Sequence, residues 1–252
     1  QYVNVKKGNW VTLFYWIMTA STKPNWANLK LTSFKYKTRK GPDYRHGEQV
    51  SFLDIKHTFG MGNIRVGSWV TREERDLAAN LVFDALADLA YILALPPQAM
   101  GLRGNLNLAF GSGGRKGVQA HYAPHYRELA LAKNAGAGAL AHEFWHAFDH
   151  YIADKAFDIN DTELLPKRIL FASDCWLKNK TQIAHPLNDR LINIFSAMLL
   201  SDDGQDKNDF VARSVKADLA LSRNYFSLPT EMMARAFEAA VETCPDIENS
   251  YL

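Results

Sequence analysis

Two histidines and a glutamate within five residues have the spacing of a zinc site with its own base. Residues 142–146 read His-Glu-Phe-Trp-His. On an α-helix, His142 and His146 lie on one face about one turn apart, so both imidazoles can bind one ion. Glu143 lies about 100° around the helix, where it can take a proton from a zinc-activated water without binding the metal. The pattern predicts Zn2+ as cofactor, the two histidines as ligands and Glu143 as the general base of a hydrolase.

Two polar residues at the end of the same helix are poor candidates for a further ligand. His150 is eight residues past His142, which places its backbone about 12 Å further along a straight helix. The two side chains therefore cannot share one tetrahedral ion together with His146. Asp149 has the same difficulty, and we expect it to orient a ligand histidine as a hydrogen-bond acceptor instead.

A catalytic zinc site needs a third protein ligand, which must come from another segment. Glu163 follows His146 by 17 residues, and Glu231 follows it by 85. Glu231 opens the last predicted helix, where Ala234, one turn on, is small enough to let that helix approach the motif helix closely. Spacing alone leaves both glutamates open as ligands.

The elements that must position these residues follow an order typical of an α+β fold, with strands before helices. Thr71-Arg72-Glu73-Glu74 is a capping box that predicts a helix start. The glycines among residues 51–70 favour short strands and turns there. Further strands are predicted at Leu106–Phe110, Val118–Tyr122 and Glu128–Ala132, and further helices near 135–153, 163–177, 187–200, 210–221 and 227–243.

Charge divides the chain into two parts. Residues 1–50 carry nine Lys and Arg against two acidic residues, a local charge of +7, whereas the remaining residues sum to −5. We interpret residues 1–50 as a basic extension or small lobe, which could meet nucleic acid or another anion, and 51–252 as the main domain. The run Trp10–Met18 favours a buried strand over a signal peptide.

Cysteine content and hydropathy bear on the compartment. The only cysteines are Cys175 and Cys244, too few for a disulfide framework. No stretch approaches the ~20 apolar residues that a membrane helix needs. These two observations favour a cytoplasmic location without a membrane span.

About half of the chain, roughly 51–151 and 225–240, resembles the metallopeptidase-like domain of large polyvalent proteins of phages and conjugative plasmids, and most closely the bacterial CLCA-like metallohydrolases. The resemblance implies a zincin-like fold: a small mixed sheet, an active-site helix and a helical C-terminal part. It also favours Glu231 as the third ligand, as in gluzincins. It rests on Phe59-Gly60, Gly67-Ser68-Trp69-Val70, Leu108-Ala109-Phe110-Gly111, Ala120-His121-Tyr122, Gly136-Ala137-Gly138-Ala139-Leu140-Ala141-His142-Glu143, Ala147-Phe148-Asp149, Pro229-Thr230-Glu231 and Ala234-Arg235-Ala236-Phe237-Glu238.

The function expected from these features is that of a zinc metallopeptidase. In a zincin-like fold a peptide substrate adds to the strand beside the active helix, for which Val118–Tyr122 is the candidate. His121 or Tyr122 is then placed to stabilise the developing oxyanion. Two alternatives remain: hydrolysis of a non-peptide amide, and a zinc-stabilised binding module recruited to an anion through residues 1–50.

Overall fold

The computed structural model describes residues 38–68, 70–112, 118–159 and 169–252. Within these ranges the chain forms six strands and seven helices, so the α+β expectation is confirmed. The strands are β1 (Arg39–Lys40), β2 (Ile64–Val66), β3 (Asn107–Phe110), β4 (Ala120–Ala123), β5 (Glu128–Leu131) and β6 (Glu248–Asn249). The helices are α1 (Phe52–Phe59), α2 (Arg72–Ile92), α3 (Ala139–Ala156), α4 (Ala172–Leu177), α5 (Asn188–Leu199), α6 (Asp209–Leu221) and α7 (Pro229–Glu242). Short 3₁₀ turns occupy Pro97–Gly101 and Pro124–Tyr126.

A four-stranded mixed sheet has the order β2-β3-β5-β4. The first three strands are parallel, and β4 runs antiparallel to β5 with His121 opposite Ala130. The side chains of Leu108, Phe110, Leu129 and Leu131 are fully buried in the core beneath this sheet. Because β4 is the last strand in the order, one of its two edges is unpaired within the sheet.

Residues 51–70 contain a helix that the glycine pattern did not suggest, so the expectation of strands and turns throughout this stretch is wrong. Ser51 and Asp54 form a reciprocal capping box at the start of α1. Phe52, Ile55 and Phe59 recur at helical spacing and are all buried. Only β2 fulfils the strand expectation, after α1 has ended at Gly60 in the left-handed conformation.

Helix α2 begins as predicted. The Thr71 hydroxyl accepts a hydrogen bond from the Glu74 backbone N–H at 3.3 Å, and the Glu74 carboxylate accepts one from the Thr71 N–H at 3.0 Å. This exchange satisfies two backbone donors that the first turn of a helix would otherwise leave free.

The described part of the basic N-terminal stretch is attached to α2. Arg39 donates two hydrogen bonds, of 2.6 and 2.8 Å, to the carboxylate of Asp88, which is fully buried. Arg45 pairs in the same way with Asp84 at 2.9 and 3.0 Å. Strand β1 also pairs with β6, so residues 38–50 contact both α2 and the C-terminal strand of the described fold.

Helix α3, which carries the His-Glu-Phe-Trp-His motif, packs closely on α7. Ala234 on α7 is fully buried, and the small side chain permits this approach. Trp145 and Phe144 of α3 contact Phe237 of α7, with ring centroids 5.3 and 6.4 Å apart. The two aromatic residues between the histidines thus hold the motif helix against the helix that bears Glu231.

The start of α3 is completed by residues distant in sequence. Its N-cap, Gly138, supplies no side-chain hydrogen bond to the helix. Instead, the Ala137 N–H donates to the Ser250 carbonyl at 3.1 Å, and the Ala141 N–H donates to the Leu252 carbonyl at 3.3 Å.

The predicted strands and later helices appear with boundaries shifted by a few residues. Helix α3 starts four residues later than expected. Helix α4 covers the end of the 163–177 prediction, of which residues 163–168 lie outside the described residues. The Trp10–Met18 run and Glu163 lie outside the described residues. None of the helices in the described ranges combines the length and apolar character that crossing a membrane requires.

Candidate metal centre

Three side chains from two helices converge at the contact between α3 and α7. One ligand atom from each of His142, His146 and Glu231 lies within 4.8 Å of the other two. The His142 Nε2 is 3.3 Å from Glu231 Oε2, and the His146 Nε2 is 3.4 Å from Glu231 Oε1. All three side chains are at most 15% exposed. The structure therefore brings together both motif histidines and one of the two candidate third ligands.

This donor set fits a divalent cation. Two imidazole nitrogens and one carboxylate form a known catalytic zinc set. Atoms bonded at ~2.0–2.1 Å to one tetrahedral ion lie about 3.3 Å apart, which is close to the separations between the imidazoles and Glu231. The buried Oε2 of Glu231 has no hydrogen-bond partner, because its short separation from His142 lacks hydrogen-bond geometry. A buried anionic oxygen left this way is unfavourable unless a cation neutralises it.

A second carboxylate holds the opposite side of His142. Glu238 lies two helical turns after Glu231 on α7, and its Oε2 is 3.2 Å from the His142 Nδ1. Burial alone would lower the pKa of His142, but the Glu231 and Glu238 carboxylates outweigh burial and raise that pKa to about 9. The nearby imidazoles hold the pKa of Glu231 well below its usual range, against the opposing effect of burial. Both shifts favour a positively charged His142 between two carboxylates.

Gly138 makes room for Glu238. A Cβ at position 138 would lie 2.6 Å from the Glu238 Cδ and 2.7 Å from its Cγ, and closer still to Oε1. The residue also has φ +87°, a conformation that favours glycine. The glycine at the start of α3 therefore allows the carboxylate that orients the first histidine.

The proposed base, Glu143, is tied to the edge of the sheet. The Tyr122 N–H donates a 2.6 Å hydrogen bond to the Glu143 Oε2. The two residues come from β4 and α3, so strand and helix together fix the orientation of the carboxylate.

The side chains of the two β4 residues proposed as oxyanion donors point to different places. The Tyr122 hydroxyl lies 2.7 Å from the His150 Nδ1, and burial raises the pKa of this phenol to about 12. Burial also lowers the pKa of His150. His121 precedes Tyr122 in the strand, so its side chain extends from the opposite face of the sheet.

Asp149 is held by a residue of α4. Its carboxylate accepts hydrogen bonds from the Ser173 N–H at 2.9 Å and from the Ser173 hydroxyl at 2.6 Å. Complete burial raises the pKa of Asp149 to about 6, although both hydrogen bonds and the nearby charge of His146 oppose the shift. The hydrogen bonds described for Asp149 thus fix α4 against α3, and its influence on His146 is electrostatic.

Two site residues escaped the sequence reasoning. Glu238 ends the run Ala234-Arg235-Ala236-Phe237-Glu238, but the sequence analysis assigned it no role. It follows Glu231 by seven residues, close to two helical turns, and this spacing on one face of α7 is the signal that could have placed it at the site. Burial and the nearby Glu231 carboxylate raise the pKa of the Tyr225 phenol above its usual value. It lies in the loop before α7, and no periodic pattern connects it with the motif.

Comparison with known proteins gives one family similarity. Residues 217–252 are similar to large polyvalent protein-associated domain 1. The stretch includes Glu231, Glu238 and Tyr225 but not the histidine motif, and it comprises 36 of the 252 residues. It supports the large polyvalent protein part of the resemblance. No curated protein and no solved structure matches the chain.

Proposed function

We propose that the chain is a zinc metallopeptidase with His142, His146 and Glu231 as metal ligands and Glu143 as general base, in a zincin-like arrangement. The observation that supports it most is the meeting of a two-histidine, one-glutamate donor set with the Glu143 carboxylate, which the backbone of β4 holds in place. Zinc bound there would supply a Lewis acid that polarises the scissile carbonyl and lowers the pKa of water to around 7.

Glu143 acts as the proton carrier of the reaction. The Tyr122 N–H occupies Oε2, so Oε1 accepts the proton of the attacking water. As the C–N bond breaks, the same oxygen gives this proton to the leaving amine nitrogen. The tether to β4 keeps the carboxylate in place during both transfers.

The free edge of β4 is the proposed substrate site. The Ala132 N–H bonds to the Gln119 carbonyl, so antiparallel alternation turns the backbone groups of Ala120 and Tyr122 away from β5. The bond between Tyr122 and Glu143 agrees with this orientation. An extended peptide added along β4 uses the remaining edge groups and passes beside Glu143.

Metal content is the first test of this proposal. We expect about one zinc per purified chain by mass spectrometry, retained in Glu143→Gln and lost in His146→Ala and Glu231→Gln. Glu242→Gln is the matched control, because Glu242 is an exposed glutamate on the same helix as Glu231. Zinc binding that persists in Glu231→Gln would exclude Glu231 as a ligand and direct attention to Glu163.

Catalysis is tested with a peptide library and mass-spectrometric detection of products. Loss of general-base catalysis costs roughly 10²–10⁴-fold in rate, so Glu143→Gln should abolish detectable cleavage while Glu242→Gln cleaves normally. Full activity of zinc-loaded Glu143→Gln would refute the mechanism. If the zinc-loaded wild type cleaves no peptide but releases product from small amides, the non-peptide alternative replaces the proposed substrate class.

The described residues do not favour the nucleic-acid alternative. Within 38–50, the guanidinium groups of Arg39 and Arg45 are engaged by Asp88 and Asp84 rather than presented to an anion. If the lysines within residues 1–37 bind DNA, the measured DNA affinity should fall steeply as the salt concentration rises.

A further inference from the structure

The first turn of α3 has backbone donors that the helix itself cannot satisfy. The first N–H groups of any α-helix lack an intrahelical acceptor, and a capping side chain usually accepts one of them. The N-cap of α3 is a glycine and offers no such side chain. The Ala141 N–H bonds instead to the Leu252 carbonyl at 3.3 Å. Just before the helix, the Ala137 N–H bonds to the Ser250 carbonyl at 3.1 Å. Because His142 directly follows Ala141, these bonds hold the turn that carries the first candidate ligand.

Residues 249–252, which we call the strap, supply both acceptors, and Asn249 shapes this segment. The Asn249 Oδ1 accepts hydrogen bonds from the N–H groups of Tyr251 and Leu252, at 2.8 and 3.3 Å. Both of these residues are buried. An asparagine that bonds to the backbone two residues later stabilises a turn, so the direction of the strap carbonyls depends on Asn249.

The other end of the Asn249 amide is anchored on α2. Its Nδ2 donates a 2.8 Å hydrogen bond to the Oδ2 of the fully buried Asp88. Arg39 donates to the same carboxylate at 2.6 and 2.8 Å. Thr38 holds the strap as well, since its carbonyl accepts the Ser250 N–H at 3.0 Å and its N–H bonds to the Ser250 hydroxyl at 2.8 Å. A continuous series of hydrogen bonds thus connects the described part of the basic N-terminal stretch, through the strap, with the start of α3.

We propose that Asn249 is a positioning residue of the candidate metal centre, which holds the strap so that the first turn of α3 presents His142 to the metal. This inference rests on the metal site of the function proposed above. The position of His142 is demanding, because its ring meets Glu231 at 3.3 Å on one side and Glu238 at 3.2 Å on the other. A metal site tolerates displacements of only about 0.5 Å, so a loosened first turn disturbs both contacts.

The chemistry of this position requires an amide. The side chain must donate to the Asp88 carboxylate at one end and accept two backbone N–H groups at the other. A side-chain amide carries both kinds of group, whereas an ionised carboxylate only accepts. Aspartate at position 249 would also place a second negative charge against Asp88, which repels it.

The test removes the donor of Asn249 and then restores it from the opposite side. Asn249→Asp loses the hydrogen bond to Asp88. Adding Asp88→Asn gives position 88 an amide that can donate to the new carboxylate, which still accepts from the strap N–H groups. We expect Asn249→Asp to bind zinc about tenfold more weakly, as is typical when a group that orients a ligand histidine is lost. The double variant should return to within about threefold of the wild type.

Ser51→Ala is the control for general destabilisation. It removes the cap of α1, which belongs to another part of the fold, so it should lower the denaturation midpoint and leave zinc affinity unchanged. An equal loss of zinc affinity in Ser51→Ala would show that stability alone explains the effect of Asn249. Unchanged zinc affinity in folded Asn249→Asp would overturn the assignment, as would a double variant that binds zinc no better than Asn249→Asp.

Amide hydrogen exchange of the metal-free protein gives a readout that does not depend on zinc. The Ala137 and Ala141 N–H groups should exchange at least about tenfold faster in Asn249→Asp than in the wild type, and more slowly again in the double variant. If the wild type binds no zinc, the proposed function fails separately, and this exchange decides the role of Asn249. Faster exchange at both alanines then supports its hold on the start of α3, and unchanged exchange refutes it.

Discussion

Substitution of Gly138 by alanine should weaken zinc binding through a side chain on another helix. The new Cβ would lie 2.6 Å from the Glu238 Cδ and 2.7 Å from its Cγ, far inside van der Waals contact. Glu238 must therefore move, and its hydrogen bond to the His142 Nδ1 at 3.2 Å is lost. The histidine keeps its place on α3 but loses the carboxylate that orients its ring.

Two separate costs follow from this change. An alanine at φ +87° costs about 1–2 kcal/mol of backbone strain, which lowers the stability of the folded protein with or without metal. Loss of a carboxylate behind a ligand histidine typically reduces metal affinity by about 10–100-fold. Tenfold corresponds to about 1.4 kcal/mol of binding free energy.

A double-mutant cycle separates the two costs. Glu238→Ala removes Cγ, Cδ and the carboxylate, so in that background the new Cβ at position 138 no longer meets the three atoms that would be nearest to it in the wild type. We expect Gly138→Ala to lower zinc affinity, measured by competition with a chromogenic chelator, in the wild type but not in Glu238→Ala. The strain should lower the chemical-denaturation midpoint of the metal-free protein in both backgrounds. Equal losses of zinc affinity in both would refute the role given to Glu238.

Three further substitutions test which contacts outside the metal ligands stabilise the folded protein. The folded protein binds the Asp149 proton more tightly than the unfolded chain, so the contribution of this group to stability is fully present below its ordinary pKa of 3.8 and is lost as the pH rises through about 6. The loss for the metal-free protein is about 3 kcal/mol, and Asp149→Asn should remove it. Arg39→Ala leaves the buried Asp88 carboxylate without its cationic partner and should cost about 3 kcal/mol of unfolding free energy. Lys40 is exposed, so Lys40→Ala should cost under about 0.5 kcal/mol. Ser51→Ala removes a cap from α1 and should cost about 1 kcal/mol.

Each of these has a measurable contrary result. The free energy of unfolding is measured by urea denaturation at several pH values in the presence of a chelator. If it changes with pH equally in wild type and Asp149→Asn, Asp149 is not the group responsible. Equal effects of Arg39→Ala and Lys40→Ala on the urea midpoint would mean that the ion pair with Asp88 contributes no stability. For Ser51, an unchanged midpoint would show that the capping box does not limit the stability of the domain.

The elements of the main sheet were predictable because their signals are local. The capping box at Thr71 identified the start of α2, and the short apolar runs gave β3, β4 and β5 within two residues. Helix α1 was missed although Ser51 and Asp54 form the same kind of box, because the neighbouring glycines were given more weight than the helical spacing of Phe52, Ile55 and Phe59.

The site was predictable only where its residues share one helix. The spacing of His142 and His146 follows from helix geometry, whereas the approach of Glu231 across 85 residues depends on the packing of α7 against α3. The hydrogen bond between Tyr122 and Glu143 depends on where β4 ends relative to α3. The Ser173 contact of Asp149 likewise needs the position of α4, which no local pattern specifies.

The caps of α3 have a consequence for the order in which the protein is made. The Ala137 N–H just before this helix and the Ala141 N–H in its first turn bond to the carbonyls of Ser250 and Leu252, more than one hundred residues later in the chain. During synthesis the histidine motif leaves the ribosome long before those residues exist. The start of the helix therefore gains these two hydrogen bonds only after residues 250–252 have been released. A stalled chain lacking them should carry the histidine motif on a helix whose first turn is less firmly held.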